Sequence, residues 1–272
     1  MRSKLFEMPE KIDDGRLDFM IDLLDVIKAK RAASILFSFR KTKVIEASGY
    51  AILCCLSDTL REHTQRSSVV ALSKNVEAKF IRKILTNEGE RGFLKIEEMK
   101  METSSFLFRG VAQGIDPSFP DAVDAMFISR LDEKKLWYVR FILNELMQNA
   151  LDHSTAERYF LYAGLSENAV QFGTCDMGVS IPAKLEQKYN CKDDIEYLKK
   201  SLEFGVGTRR IRTGGFGLNH LFEILKAQKG RLVILSRNAQ LRIYFKRRKQ
   251  LDSFLKRSLR GTWCLARISI GK

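Results

Sequence analysis

The sequence predicts two α/β domains in one chain, on three observations. Its 272 residues correspond to one large domain or two small ones, at roughly 150 residues apiece. Over the first hundred residues short apolar runs alternate with helically spaced ones, the pattern of a small α/β unit. Residues 103–120 (TSSFLFRGVAQGIDPSFP) then gather two glycines, two prolines and a serine pair, which reads as a linker or an ordered crossover.

The elements follow in order. Residues 33–39 (ASILFSF) read as a buried strand and 43–45 as a second, shorter one. Residues 49–62 have helical spacing, with Ile52, Leu56 and Leu60 on one stripe. Residues 69–72 are a strand, 76–85 a helix and 93–96 a strand. The second half opens near Asp121 with two helical stretches. Strands follow at 159–164, 170–175, 231–236, 241–246 and 262–270. The domain boundaries expected are 1–105, a linker at 106–120, and 121–272.

Composition narrows the function classes. Hydrophobic residues make up 45% and charged residues 29%, a globular balance that excludes a wholly disordered chain. No apolar run approaches the roughly 18 residues of a membrane span. The opening MRSKLFEMPEKIDDG has no apolar stretch behind its charges, unlike a secretory signal. The cysteines (Cys54, Cys55, Cys175, Cys191 and Cys264) include no CxxC pair. Neither a disulfide framework nor a zinc site is expected, and a reducing, cytoplasmic location is. The net charge of +14 is uneven: residues 226–260 hold 12 basic residues against Asp252 alone. Such a field attracts nucleic acid, anionic lipid or an acidic protein, unless it is simply a solvated face.

Three segments carry chemistry. In the helix of residues 135–153, Leu136, Val139, Leu143, Leu146 and Ala150 form an apolar stripe. Glu145, Asn149 and Asp152 fall within about 60° of one another at its edge. A carboxylate one turn from a carboxamide can hold a metal ion and a water together, although polar residues at that spacing usually face solvent. In FGTCDMGVSIP, residues 172–182, a strand ends on Asp176, where a carboxylate points into whatever caps the sheet. Gly178 permits close approach of a flat ligand, and the same letters also suit an ordinary Asp-x-Gly turn. In FGVGTRRIRTGGFGL, residues 204–218, five glycines lead into a helix, exposing backbone N–H groups that favour phosphate.

Taken in this order and spacing, the three segments resemble the GHKL ATPase family. That family includes gyrase, heat-shock chaperones, mismatch-repair ATPases, histidine kinases and anti-sigma serine kinases. FILNELMQNALDHS (141–154) looks like its N box, residues 175–182 like its first glycine box, and residues 205–218 like its lid and second glycine box. Gly261-Thr262 resembles its last G-T strand. The resemblance covers residues 121–272 and implies a Bergerat-type sandwich of helices on a mixed sheet, binding ATP and Mg²⁺. It assigns Glu145 as general base and Asn149 as Mg²⁺ ligand. Asp176 would bind the adenine amino group, supported by Thr262, and Gly178 would let the backbone approach the ring. Gly214, Gly215 and Gly217 would donate to the phosphates, and Thr208 sits where some relatives contact the γ-phosphate. Ser180 stands where the pattern has its second glycine, adding bulk beside the nucleotide. The run ending Asn-Ala-Leu-Asp-His-Ser is most similar to the anti-sigma serine kinase branch. No histidine-kinase phosphoacceptor helix is found, since His63 lacks the flanks and His153 belongs to the N-box helix.

The first half resembles a STAS domain, the anti-sigma-antagonist fold, over about residues 1–105. Its strand, short strand and helix are joined by Glu46-Ala47-Ser48-Gly49. Only the serine and glycine of the family's D-S-S-G motif survive. Ser48 falls on the serine phosphorylated in regulated members, and a plain helix N-cap accounts for it as well.

Two functions from different classes follow. One is an ATP-dependent serine/threonine kinase or anti-sigma-like switch. The other is an ATP-gated ATPase or binding module whose nucleotide state controls docking of a partner. Nucleotide binding without turnover is a third. The partners expected are a protein and, through residues 226–260, nucleic acid or another polyanion; a homodimer is also allowed.

Overall fold

The computed structural model describes residues 3–15, 17–29, 34–63, 66–74, 78–85, 97–101, 104–111, 116–153, 159–166, 168–207 and 217–270. It is a mixed α/β protein that divides into two compact units, Met1–Lys95 and Ile96–Lys272.

The first unit contains strands β1 (Lys4–Glu7), β2 (Lys11–Ile12), β3 (Ser34–Phe39), β4 (Val44–Ile45) and β5 (Arg66–Leu72). Its helices are α1 (Leu17–Lys28), α2 (Ala47–Glu62) and α3 (Ala78–Leu85). Strands β1, β3 and β5 form a parallel sheet in that order, with α1 and α2 as the crossovers that parallel neighbours require. β2 and β4 form a separate parallel pair. Helix α2 is buried from Ala47 to Leu60, so it is apolar on more than one face, as a core helix is. Residues 93–96, expected to be a strand, lie outside the described residues.

The second unit contains β6 (Glu97–Met101), β7 (Ser104–Val111), α4 (Ser118–Phe127), α5 (Glu133–His153), β8 (Tyr159–Ser166) and β9 (Ala169–Asp176). After these come α6 (Ile181–Leu185), α7 (Asp194–Ser201), α8 (Gly217–Ala227), β10 (Arg231–Tyr244) and β11 (Lys249–Ser269). The sheet order is β10-β11-β9-β8-β7-β6, and neighbouring strands are antiparallel. Two expectations are corrected here. The sheet is antiparallel rather than mixed, because hairpins such as β8–β9 join its strands. Residues 104–111 are a strand of this sheet rather than the end of one domain and the start of a linker. Their backbone is taken up by β8, from Ser104 opposite Ser166 to Val111 opposite Tyr159.

The expected apolar stripe of α5 is buried, and it packs with Phe172, Ile234, Cys264 and Ala266 of the sheet. The opposite sheet face carries Phe160, Tyr162, Cys175, Val233, Leu235 and Trp263, also buried. The central strands therefore read as apolar runs rather than alternating ones.

β10 doubles back on itself. Fourteen residues in one extended run would separate its ends by about 45 Å. Instead the Phe245 N–H donates to Gly230 O at 3.0 Å, and the Arg231 guanidinium lies over the Tyr244 ring. The reversal falls at Arg237, whose φ is +53°. Residues 231–236 pair with 262–267 of β11, and residues 239–244 pair with 249–254. The two ends of β11 thus flank the β10 hairpin. Asp194 pins the reversal. It accepts from Arg237 Nε at 2.9 Å, from Arg237 Nη2 and from Asn238 N at 3.1 Å. Burial opposes its ionisation, but the Arg237 guanidinium and the Asn238 N–H outweigh that and hold the carboxyl below the usual carboxylate range.

Candidate functional site

Asp176, the last residue of β9, sits opposite Thr262 of β11. By strand alternation both lie on the sheet face that carries Phe172 and Cys264, the face the helices cover. Asp176 is 6% exposed, and its Oδ1 accepts the Gly178 N–H at 2.8 Å. The Asp-x-Gly turn is therefore present, and it fixes the plane of the carboxylate. Gly261 comes down on the same strand end. A Cβ there would collide with the backbone O and C of Asp176 and with Met177 Cα, and its φ is +90°. Only glycine allows that approach without strain.

Ser236, which the sequence reading passed over, ties this floor together. Its hydroxyl donates to Gly261 O at 2.9 Å and accepts the Ile181 N–H at 2.9 Å. A serine has one proton to give. At 2.9 Å, Thr262 Oγ1 must then be the donor to Ser236. Thr262 is thereby left with only acceptor capacity on its far side. The one available signal was a serine ending an apolar strand.

Ser180 is the N-cap of α6, accepting from Ala183 N at 3.2 Å. Its hydroxyl is taken up in starting that helix, which is why a serine stands here in place of the expected glycine.

The second group of residues lies where α5 meets the start of α8. A Cβ on Gly217 would lie 2.7 Å from Glu145 Oε2 and 2.9 Å from Asn149 Nδ2. Both side chains thus converge on the first turn of α8, and a glycine lets the helices close to that distance. The Asn149 amide nitrogen is buried with no hydrogen-bond partner among the described residues. Turning the amide over, which changes no shape, presents Oδ1 instead, an oxygen of the kind Mg²⁺ takes. Glu145 supplies a second oxygen, so this corner fits a hard cation. Asp152 is not drawn in: it is exposed and accepts from Gln148. The i, i+4 ridge that carries Glu145 and Asn149 continues backwards as Phe141 and Trp137, stacked at 5.1 Å. Phe141 rests against His220 of α8.

Thr208, Gly214 and Gly215 lie outside the described residues. Ser48 belongs to the first unit. It is not the N-cap of α2, a position Glu46 holds. Ser48 stands inside the first turn, 2% exposed, and its hydroxyl has no partner among the described residues. In the same unit the carboxylates of Asp13, Asp14 and Glu46 cluster, and Lys11 supplies counter-charge at 2.9 Å from Asp13 and 2.6 Å from Glu46. Among the cysteines, burial pushes the Cys264 thiol up, with Cys175 adding to it, so it is an inert core residue. No helix of the described residues is long and apolar enough to cross a membrane.

No family model matches the chain, and no curated protein is significantly similar to it.

Proposed function

We propose that the second unit is an ATP·Mg²⁺-binding domain of the Bergerat type. In this reading it serves a STAS-like first unit as a serine/threonine kinase or anti-sigma-like switch. The convergence of Glu145, Asn149 and Gly217 carries the reading. Two sequence segments separated by about seventy residues of chain meet with no room for a Cβ, around a buried amide nitrogen that has no partner among the described residues. A buried polar atom left unpaired is destabilising unless a ligand meets it.

Each group then has a task. Asp176, its plane set by Gly178, would accept from the adenine amino group, and Thr262 would present its remaining acceptor capacity beside it. The N-terminal turn of α8 would direct backbone N–H groups at the phosphates. Bound Mg²⁺ would neutralise phosphate charge, with Asn149 as its protein ligand. Glu145 would take the proton from the attacking hydroxyl, held in line by the packing of α5 on α8.

Titration calorimetry with ATP and Mg²⁺ tests the binding. The wild type is expected to bind, and Asp176→Asn to lose at least about tenfold in affinity, the scale of one hydrogen bond to a charged group. Unchanged affinity in that variant would put the adenine elsewhere. The fate of the γ-phosphate decides between the two classes of function. Label on protein supports the kinase, and label released only to water supports the ATP-gated module.

A further inference from the structure

The basic segment of the chain has a definite architecture that the nucleotide site does not use. Residues 249–254 of β11 pair with 239–244 of β10 on one side, and with no strand among the described residues on the other. They form the outer edge of the sheet. All six are exposed. Leu251 (44% exposed) and Phe254 (58%) project from opposite faces. The tip before the strand is a 3-10 turn through Lys246 and Arg247, then Arg248 with φ +48°. Lys246, Arg247, Arg248 and Lys249 are exposed at this end, and Lys256, Arg257 and Arg260 at the other. The one acid, Asp252, is engaged by Lys199 of α7, which holds its carboxyl below the usual range.

We propose that this edge is a docking site for an extended acidic segment of a partner protein, which adds to the sheet as a further strand. Lysine and arginine on an open edge ordinarily serve to prevent strand addition. A purely defended edge has no use for two large apolar side chains, one on each face. Here the cations sit at the two ends of the strand and the apolar pair lies between them. That is the pattern of a peptide groove, with main-chain bonds for affinity and alternate side-chain contacts for selection. Charge decides the occupant. A second copy of the edge would set cations against cations, whereas an acidic strand is complementary along its length. A single-stranded nucleic acid fits less well. It needs a continuous cationic track with a row of stacking rings, and Phe254 is the one exposed aromatic on this strand.

The test uses the full chain and a fluorescent peptide of alternating glutamate and valine. The controls are its lysine-valine counterpart, the glutamate peptide N-methylated at alternate residues, and oligothymidylate. Binding of the glutamate peptide is expected, weakening as salt rises. The lysine peptide should not bind. N-methylation keeps every side chain but removes one edge of N–H donors, and should weaken binding about tenfold or more, the factor set by roughly one backbone hydrogen bond. Lys246→Glu with Arg248→Glu, both exposed, should cut affinity by a similar factor at an unchanged melting temperature. Equal binding of the methylated peptide would overturn strand addition. Oligothymidylate that competes at lower concentration than the glutamate peptide, or no binding of that peptide at all, would overturn the acidic partner. No arm requires ATP, so the result stands apart from the nucleotide reading.

Discussion

At the end of β9, Asp176 accepts the Gly178 N–H at 2.8 Å, and the Ser236 hydroxyl joins Gly261, Thr262 and Ile181 through hydrogen bonds of 2.9 Å. At the corner of α5 and α8, the Asn149 amide nitrogen has no such partner among the described residues, and the Glu145 carboxylate lies against Gly217 of α8. The floor is thus completed by the protein itself, and the corner is not. Groups that are fully bonded within the fold stabilise it and set geometry. Groups held in place without a partner are where a ligand contributes most. On this contrast, substitutions in the corner should alter chemistry, and substitutions of Gly261 or Ser236, which hold the floor together, should alter the fold.

The largest expected effect is in the corner. Glu145→Ala should lower phosphoryl transfer by about a hundred- to ten-thousand-fold while ATP affinity is retained, measured by single-turnover release or transfer of label. Asn149→Ala should instead remove the Mg²⁺ dependence of ATP affinity, read by calorimetry with and without the metal. A wild-type rate in Glu145→Ala would end its role as a base.

The two glycines sharpen the contrast at an intermediate scale. Gly261→Ala meets backbone atoms at positive φ, so it should destabilise by about 1–3 kcal/mol and lower the melting temperature by a few degrees. Gly217→Ala meets only the ends of the Glu145 and Asn149 side chains. These can move aside, so the melting temperature should scarcely change while Mg²⁺-dependent ATP affinity falls. A reversal of these two outcomes would break the division between floor and corner.

The smallest effect concerns Asp194, which pins the β10 reversal outside both regions. Its folded carboxyl lies below the usual range. The stabilisation is therefore complete above the unfolded value near 3.9 and is lost as pH falls through the folded value. Asp194→Asn should lower the melting temperature at neutral pH, and the gap from wild type should close in acid. A gap independent of pH would show that the ionised carboxylate is not what matters.

Much of this was legible from residue order, for identifiable reasons. The α5 stripe and the apolar runs of β9 and β10 reflect deep burial, which writes itself into the local sequence. The strand at 104–111 was missed because Ser104, Ser105 and Gly110 resemble loop residues, while what makes it a strand is pairing with a distant neighbour. The first half of β11 was missed because its charges mark it as surface, and an exposed edge strand has no apolar run to show. β1 and α1 also went unread, β1 being four largely exposed residues. In the candidate site, Glu145, Asn149 and Asp176 could be named because their types are chemically loaded, and Thr262 through the family resemblance. Ser236 could not, because its importance lies in three partners from two distant segments.

The fold-back of β10 bears on the order in which the second unit assembles. Its halves join across two residues, and the first half of β11 joins it across a short turn, so this part closes small loops and can form early. β9 meets β11 only after α6, α7 and α8 have been enclosed between them. Long-range closure of that kind is the slow step in sheet formation. Asp176 and Thr262 lie on opposite sides of that late seam. Anything bound across them would act on the least local joint of the unit, holding shut the part of the sheet that is entropically hardest to close.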